Sequence, residues 1–397
     1  MITTLRRRHA STPRRCSPLH VCSGVFVALL GLTLTPTALA GPYSKGADDP
    51  NNPFDAPLPG FTGPAGDGVV TAGNVVNPLF LDWATTVADY SPAPGVGAIW
   101  SDPATALGEV TGNNFHIVSL GDLDQPAIDN GDPTGTITLQ FNTTIANGPG
   151  PDFATFENAF INGTATDPNT GLSFGLLFAE LGYVEVSTDG STFARFDSTS
   201  STPTPAGGQA FLTVNPTDVH NLVGKHINAG GQSWGTPFDL SQLAGHAAVL
   251  SGQVDLFDIQ YVRIIDIPGS GDYLDSHGAP IYDPWVTVDS SGVDLEAIGV
   301  IHHTFPGDIN FDRTTDIGDM ALIGANWNTG TTWDTADVTG DGSVDVADLA
   351  VVGANWGATY GNTARIESSP GAAVPAPTAL AAALPALTLL GRRKHPS

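Results

Sequence analysis

A mainly β chain, a β-sandwich or jelly roll followed by a small α-helical domain, is the fold class that the sequence predicts. Three observations predict it. Residues 41–303 are rich in Gly, Pro, Thr, Ser and Asn and carry short apolar alternations between turn residues, the pattern of many short strands. The stretch Asp308–Trp327 recurs 29 residues later as Asp337–Trp356, with nine of 20 aligned positions identical. After the acidic loop of each copy, apolar residues recur at helical spacing: Ile317/Met320/Gly324/Trp327 and Val346/Leu349/Gly353/Trp356. That spacing predicts one buried face for each short helix.

Residues 1–40 read as a signal peptide. Arg6, Arg7, Arg8, Arg14 and Arg15 form a basic start, Val21–Leu34 is mostly apolar, and Ala38-Leu39-Ala40 is a small-residue cleavage site. The apolar run is shorter than the roughly 20 residues of a spanning helix. Both cysteines, Cys16 and Cys22, fall in this segment, so the exported chain would rely on core burial and metal rather than disulfides.

Charge narrows the partners. All 40 acidic residues but only six basic ones (Lys45, Arg195, Lys225, Arg263, Arg313, Arg365) lie between Gly41 and Pro370, a net charge of −34 there. Such a surface repels nucleic acid and anionic membranes and attracts divalent cations. No nucleic-acid partner is expected.

Within residues 41–303 the strands read as Thr136–Phe141, Tyr183–Ser187, Phe193–Phe196, Tyr261–Ile265 and Leu295–Val300. Tyr183–Phe196 reads as a hairpin with Asp189-Gly190 at its tip. Some 260 residues of this kind support one sizeable core, and the strand pattern argues for a sandwich or jelly roll. The opening, from Gly41 to about Pro78, is dense in Pro, Gly and Asp and is expected to be loosely ordered.

Carboxylates abound here: Asp152, Glu157, Glu180, Glu185, Asp266, Asp272, Asp275, Asp283, Asp294 and Glu296. A glycosidase needs two of them about 5–10 Å apart, but composition selects no pair. There is no nucleophile elbow, zinc-protease helix or phosphate loop. His116, His220, His226, His246, His277, His302 and His303 are scattered, as surface or core polar residues are. No catalytic residue is assigned. Trp83, Trp100, Trp234, Trp285, Tyr273 and Tyr282 offer aromatic faces for sugar rings, with core filling as the alternative. Asp152, Glu157, Asn158, Asp266, Asp283 and Asp294 flank predicted strands and could hold a structural calcium ion, although solvated loop acids look the same in sequence.

The repeat carries the clearest chemistry. In the first copy Asp308, Asn310, Asp312, Thr314, Asp316 and Asp319 occupy positions 1, 3, 5, 7, 9 and 12 of a twelve-residue loop. In the second, Asp337, Thr339, Asp341, Ser343, Asp345 and Asp348 do so. Calcium takes about 6–8 oxygen ligands, and this spacing is the one with which an EF-hand wraps one ion. Gly342 stands at position 6, where the loop turns sharply, and Arg313 replaces that glycine in the first copy. Asp rather than Glu closes each loop. With that closing Asp and the short apolar helix after it, the duplicated segment resembles a type I dockerin. The resemblance implies calcium as cofactor, a cohesin as partner, and service in polysaccharide-degrading assemblies. Positions 10 and 11 are Ile317-Gly318 and Val346-Ala347 where that family commonly has Ser-Thr, which leaves another surface protein open as the partner.

Gly148–Phe160, Phe178–Phe196, Gly235–Leu243, Tyr261–Asp272, Gly278–Thr287 and Gly292–Ile301 look like recurring motifs of a group of exported bacterial surface proteins that end in sorting signals. The resemblance implies a jelly-roll-like surface module. At the end of the chain, Val374-Pro-Ala-Pro, an apolar run to Gly391 and Arg392-Arg393-Lys394 resemble a PEP-CTERM sorting signal, with Ala where that motif usually has Glu. It implies transient membrane association through residues 374–397, after a linker at 362–373.

The expected protein is therefore secreted to a bacterial cell surface. Its non-catalytic β module (41–303) would bind or adhere, with polysaccharide as the likeliest ligand class, and a calcium module (304–361) would attach it to other proteins. The alternative is a secreted glycoside hydrolase or lyase carrying a dockerin, separable by reducing-sugar release.

Overall fold

The computed structural model describes residues 42–46, 55–166, 173–206 and 212–360. The expected signal peptide, linker and sorting segment lie outside the described residues. The fold is mainly β, with its two repeat helices at the C-terminal end.

Two antiparallel sheets dominate. In the first, the spatial order is Leu58–Pro59, Trp234–Phe238, Phe153–Glu157, Asp294–Val300 and Asp82–Trp83, with Val118–Ser119 also paired to Asp294–Val300. In the second it is Ala194–Arg195, Gly182–Ser187, Ile259–Asp266, Thr136–Ile145 and Thr86–Ser91. All five strands read from the sequence are present, and the hairpin is confirmed by the pairs Glu185↔Arg195 and Val186↔Ala194. At its tip Gly190 adopts φ +74°, and Asp189 accepts from the backbone N–H of Ser191 and Thr192 at 2.8 Å. The bond from the Ser191 hydroxyl and then these two backbone bonds hold the Asp189 carboxyl well below its usual range.

Strand alternation feeds separate clusters. Phe153, Leu295, Ile298 and Val300 of the first sheet join Ile137, Leu139, Val184, Val262 and Ile264 of the second in the largest apolar cluster. The alternate residues Ala154, Phe156 and Ala297 join Phe61, Phe80, Trp83 and Val110 in another. This is why Phe153–Glu157 and Asp294–Val300 are buried along their whole length.

From Asp55 onward, the second cluster corrects the expectation that the chain is loosely ordered up to about Pro78; residues 47–54 lie outside the described residues. Leu58–Pro59 extends the first sheet through Leu58↔Gly235 and Pro59↔Trp234, and Phe61 and Phe80 cover its outer face. Each such aromatic contributes about 1.5–3 kcal/mol by burial, enough to order a Pro- and Gly-rich segment.

Helices Ile317–Asn326 and Val346–Ala354 close on Ile309, Ile323, Ala336, Val344 and Val352, with Met320 and Leu349 packed against that cluster. The predicted buried stripe is only partly right. Met320 and Leu349 face inward, but Ile317 (66 % exposed), Val346 (69 %), Trp327 (38 %) and Trp356 (50 %) do not. Asp319 and Asp348 are buried and turn back into their own loops, which rotates each helix so that Ile323 and Val352 take the core side.

The end of this segment returns to its start. Thr315 donates its N–H to Ala358 O (3.0 Å), Gly357 to Thr315 O (2.8 Å) and Tyr360 to Arg313 O (2.8 Å). The Tyr360 hydroxyl donates to Pro306 O at 2.8 Å, and its ring stacks on Phe305 at 4.3 Å.

Candidate metal centre

The two repeated loops have the same internal geometry. Position 1 accepts from the N–H groups of positions 5 and 6: Asp308 from Asp312 (3.1 Å) and Arg313 (2.9 Å), Asp337 from Asp341 (3.2 Å) and Gly342 (2.7 Å). Position 5 accepts from position 7, through Asp312 from Thr314 (2.9 Å) and Asp341 from Ser343 (3.0 Å). Position 9 caps the helix by accepting from position 11, at 2.7 Å in both loops. Position 12 completes a capping box by accepting from the position 9 N–H, at 2.8 Å for Asp319 and 2.9 Å for Asp348. Asp316 and Asp345 share φ −146°, with ψ of −156° and −155°.

Arg313 does not break the turn. It adopts φ +68° where Gly342 adopts +88°, and Phe311 (+58°) matches Gly340 (+70°) at position 4. A side chain in that region costs about 1–2 kcal/mol relative to glycine, so the first loop carries strain that the second avoids.

Electrostatics favour a cation in both loops. Asp308 and Asp319, like Asp337 and Asp348, are essentially buried within a few residues of other carboxylates. Burial first, and then the Asp319 and Asp312 charges, push Asp308 up to about 6 against the bond from the Arg313 N–H. Burial also pushes Asp348 up, but bonds from the Asp345 and Thr339 N–H groups outweigh it and hold the carboxyl below its usual value. Among the described residues no three His, Cys, Asp or Glu side chains close on one point; the loop carboxylates are turned to backbone N–H groups. The donor set is nonetheless all hard oxygen, at calcium-loop spacing and with net negative charge, which fits calcium rather than a soft metal. When bound, the ion would neutralise these carboxylates and tie each loop to its helix. Asp308, Asn310, Asp312, Thr314, Asp316 and Asp319 would hold one ion, and Asp337, Thr339, Asp341, Ser343, Asp345 and Asp348 the other.

The carboxylates of the β region fall into distinct settings. Glu185 pairs with Arg195 (2.8 Å) and Arg263 (3.2 Å) across the second sheet. Glu296 accepts from the Thr111 N–H (2.7 Å) and Asn228 (2.6 Å). Asp275 accepts from the N–H groups of Ser200, His277 and Ala279. Asp272 is exposed and accepts from Gln125 at 3.0 Å. Asp152 pairs with His302 Nδ1 at 2.9 Å, away from the loop acids it was grouped with in the sequence. Glu157, Glu180, Asp266, Asp283 and Asp294 are all buried, and the charges of Asp294, Glu157 and Asp266 act on others of the group.

The aromatics divide likewise. Trp83 is core, packed on Phe80 and Phe156. Trp285 donates to Leu123 O at 2.8 Å, and Trp100 donates to Asp289 at 3.2 Å. Tyr273 packs on the apolar cluster around Leu181, and Tyr282 lies against Gly271. Trp234 lines a cavity of about 310 Å³ with Ile161, Phe174, Leu177, His226 and Gln232. His226 is buried with Nε2 on Asp55 O at 3.1 Å, and burial pushes it down to about 3.

Residues 306–355 match the family model of the dockerin type I domain. No curated protein matches the chain.

Proposed function

We propose that this chain is an exported, bacterial cell-surface protein whose residues 304–361 form a calcium-folded docking module carried by a β-sandwich of jelly-roll type at residues 41–303. A dockerin type I domain attaches its protein to a cohesin partner and generally binds calcium. One observation carries the reading: two loops with matching hydrogen bonds present matching apolar residues, Ile317 with Trp327 and Val346 with Trp356, to solvent. Position 10 of each loop is thus available to a partner, and its apolar character selects an apolar counterpart rather than the hydroxyl-reading surface that a Ser-Thr pair would meet.

The β region would bind carbohydrate without turning it over. Trp234, with Gln232 beside it in the same cavity, offers an aromatic face and an amide, the combination that a sugar ring uses. Calorimetric titration of the full chain with type I cohesins, with calcium and then with a chelator, tests the docking function. Calcium-dependent binding that disappears in Ile317→Asp/Val346→Asp is the expected outcome. Binding indifferent to calcium and to both substitutions would overturn it. Glycan retention lost in Trp234→Ala, without release of reducing sugar, is expected for the β region.

A further inference from the structure

We propose that the β region holds a calcium ion of its own: Glu157, Glu180, Asp266, Asp283 and Asp294, no three of which close on one point here, lie where the strand ends of the two sheets meet and would turn in to bind it.

The placement is topological. Glu157 ends Phe153–Glu157 and Asp294 begins Asp294–Val300 in the first sheet; Asp266 ends Ile259–Asp266 in the second. Glu180 lies two residues before Gly182–Ser187, whose Gly182 pairs with Asp266. Asp283 is brought in through its Oδ2, which accepts from the Leu181 N–H at 2.9 Å. All five are 3 % exposed or less.

Their hydrogen bonding is incomplete. Asp294 is satisfied by the Ser119 and Ser290 hydroxyls, and Glu157 Oε2 accepts from the Ala159 N–H at 3.0 Å. Asp266 accepts from the Val293 N–H at 2.8 Å through Oδ1, while its Oδ2 is buried with no partner. Both Glu180 carboxylate oxygens are buried with no partner at hydrogen-bond distance; the nearby Thr287 hydroxyl acts on Glu180 but donates to Asp122 Oδ2 at 3.3 Å. The charges that act on Glu180 are those of Asp294, Glu157 and Asp266. Those that act on Glu157, Asp266 and Asp283 are carboxylates as well.

An unpaired buried carboxylate costs several kcal/mol, and here several are gathered without a cationic side chain among their charged neighbours. A hard divalent cation is the ligand that satisfies free carboxylate oxygens and cancels like charge at once. Zinc and copper would call for nitrogen or sulfur donors, which this group lacks.

The surroundings are close-fitting. A Cβ at Gly292 would come 2.5 Å from Asp266 Oδ1, one at Gly269 1.9 Å from Asp283 Oδ1, and one at Gly224 3.2 Å from Glu157 Oε2. Access is offered by Asp122, which lines a cleft of about 280 Å³ with Thr287 and Ser291 and acts electrostatically on both Asp266 and Asp283. Its Oδ1 is a further buried oxygen with no partner.

The test counts calcium bound to the full chain after dialysis and follows its melting. Two variants separate this site from the repeated loops: one carries Asp308→Asn, Asp319→Asn, Asp337→Asn and Asp348→Asn, the other Glu180→Gln and Asp266→Asn. The loop variant is expected to keep calcium and to lose roughly 10 °C of Tm in EDTA. The Glu180→Gln/Asp266→Asn variant is expected to bind one ion fewer than the parent and, in EDTA, to melt at or above the parent. A loop variant that remains folded by near-ultraviolet circular dichroism, binds no calcium and melts alike with calcium and with EDTA would overturn the proposal. So would an unchanged ion count in the Glu180→Gln/Asp266→Asn variant. Failure of cohesin docking alone would leave both counts as expected and would bear only on the docking function.

Discussion

Lys225 is fully buried and donates through Nζ to Asp55, 170 residues earlier in the chain. Lys225 also donates to Val219 O at 2.6 Å and lies 5.3 Å from the Tyr43 ring centroid, while His220 stacks on that ring. Burial pushes the Asp55 carboxyl up, but the His220 bond and the Lys225 charge outweigh it and leave its pKa lowered. The pair pins the N-terminal segment to the body of the β region.

Removing one partner leaves the other buried charge without its counter-charge. Asp55→Ala is expected to cost about 3–5 kcal/mol in urea unfolding, most of it the penalty on Lys225. A loss below about 1 kcal/mol would show that the segment is held by Phe61 and Phe80 instead. Because the folded pKa of Asp55 is lowered, its contribution is complete above the unfolded value and is lost as pH falls through the folded one.

Asp152 has the opposite sign. It accepts from the Gly148 and Leu240 N–H groups at 2.7 Å and pairs with His302, yet burial pushes it up to about 6. A raised carboxyl favours the fold when protonated, so its contribution is complete below the unfolded value of about 4 and is lost as pH rises through about 6. The stability of the parent relative to Asp152→Asn, followed by urea unfolding in EDTA, should therefore decline across that window by on the order of 2–3 kcal/mol. Asp152→Asn should be less stable at acid pH but flatter across the window. An identical slope in both proteins would assign the decline elsewhere.

The strain at Arg313 makes the two loops unequal. Calorimetry should resolve two calcium events from the repeat beside that of the β region, the weaker belonging to the first loop, and Arg313→Gly should tighten that event by about 5- to 30-fold, the equivalent of relieving 1–2 kcal/mol. Asp337→Ala/Asp348→Ala should abolish the other event. A change in the second-loop event on Arg313→Gly would mean that the loops are coupled.

What the sequence showed and what it hid follow from the range of the interactions. The loops and the Asp189-Gly190 hairpin were legible because a ligand spacing and a tight turn are local. Which side of each repeat helix faces inward was not, because Ile317 and Ile323 are equally apolar and only the inward turn of Asp319 decides between them. The order around Phe61 and Trp83 was hidden by the Pro and Gly that surround them. Among the acids, Glu180 and Asp272 look alike as letters. Only the pairing of Gly182 with Asp266 brings the first beside other carboxylates, while the second stays in water. Asp122 was missed altogether, and its one signal was a position, like theirs, just beyond a strand.

The return of residues 357–360 onto residues 313–315 also has a mechanical meaning. Tension applied to the chain on either side of the calcium loops would be borne first by three backbone bonds to the first loop and by the Tyr360 hydroxyl, while the second loop and the cluster around Ile323 and Val352 lie off the line of force. The segment would keep its docking face intact under a pull until that small clasp tore.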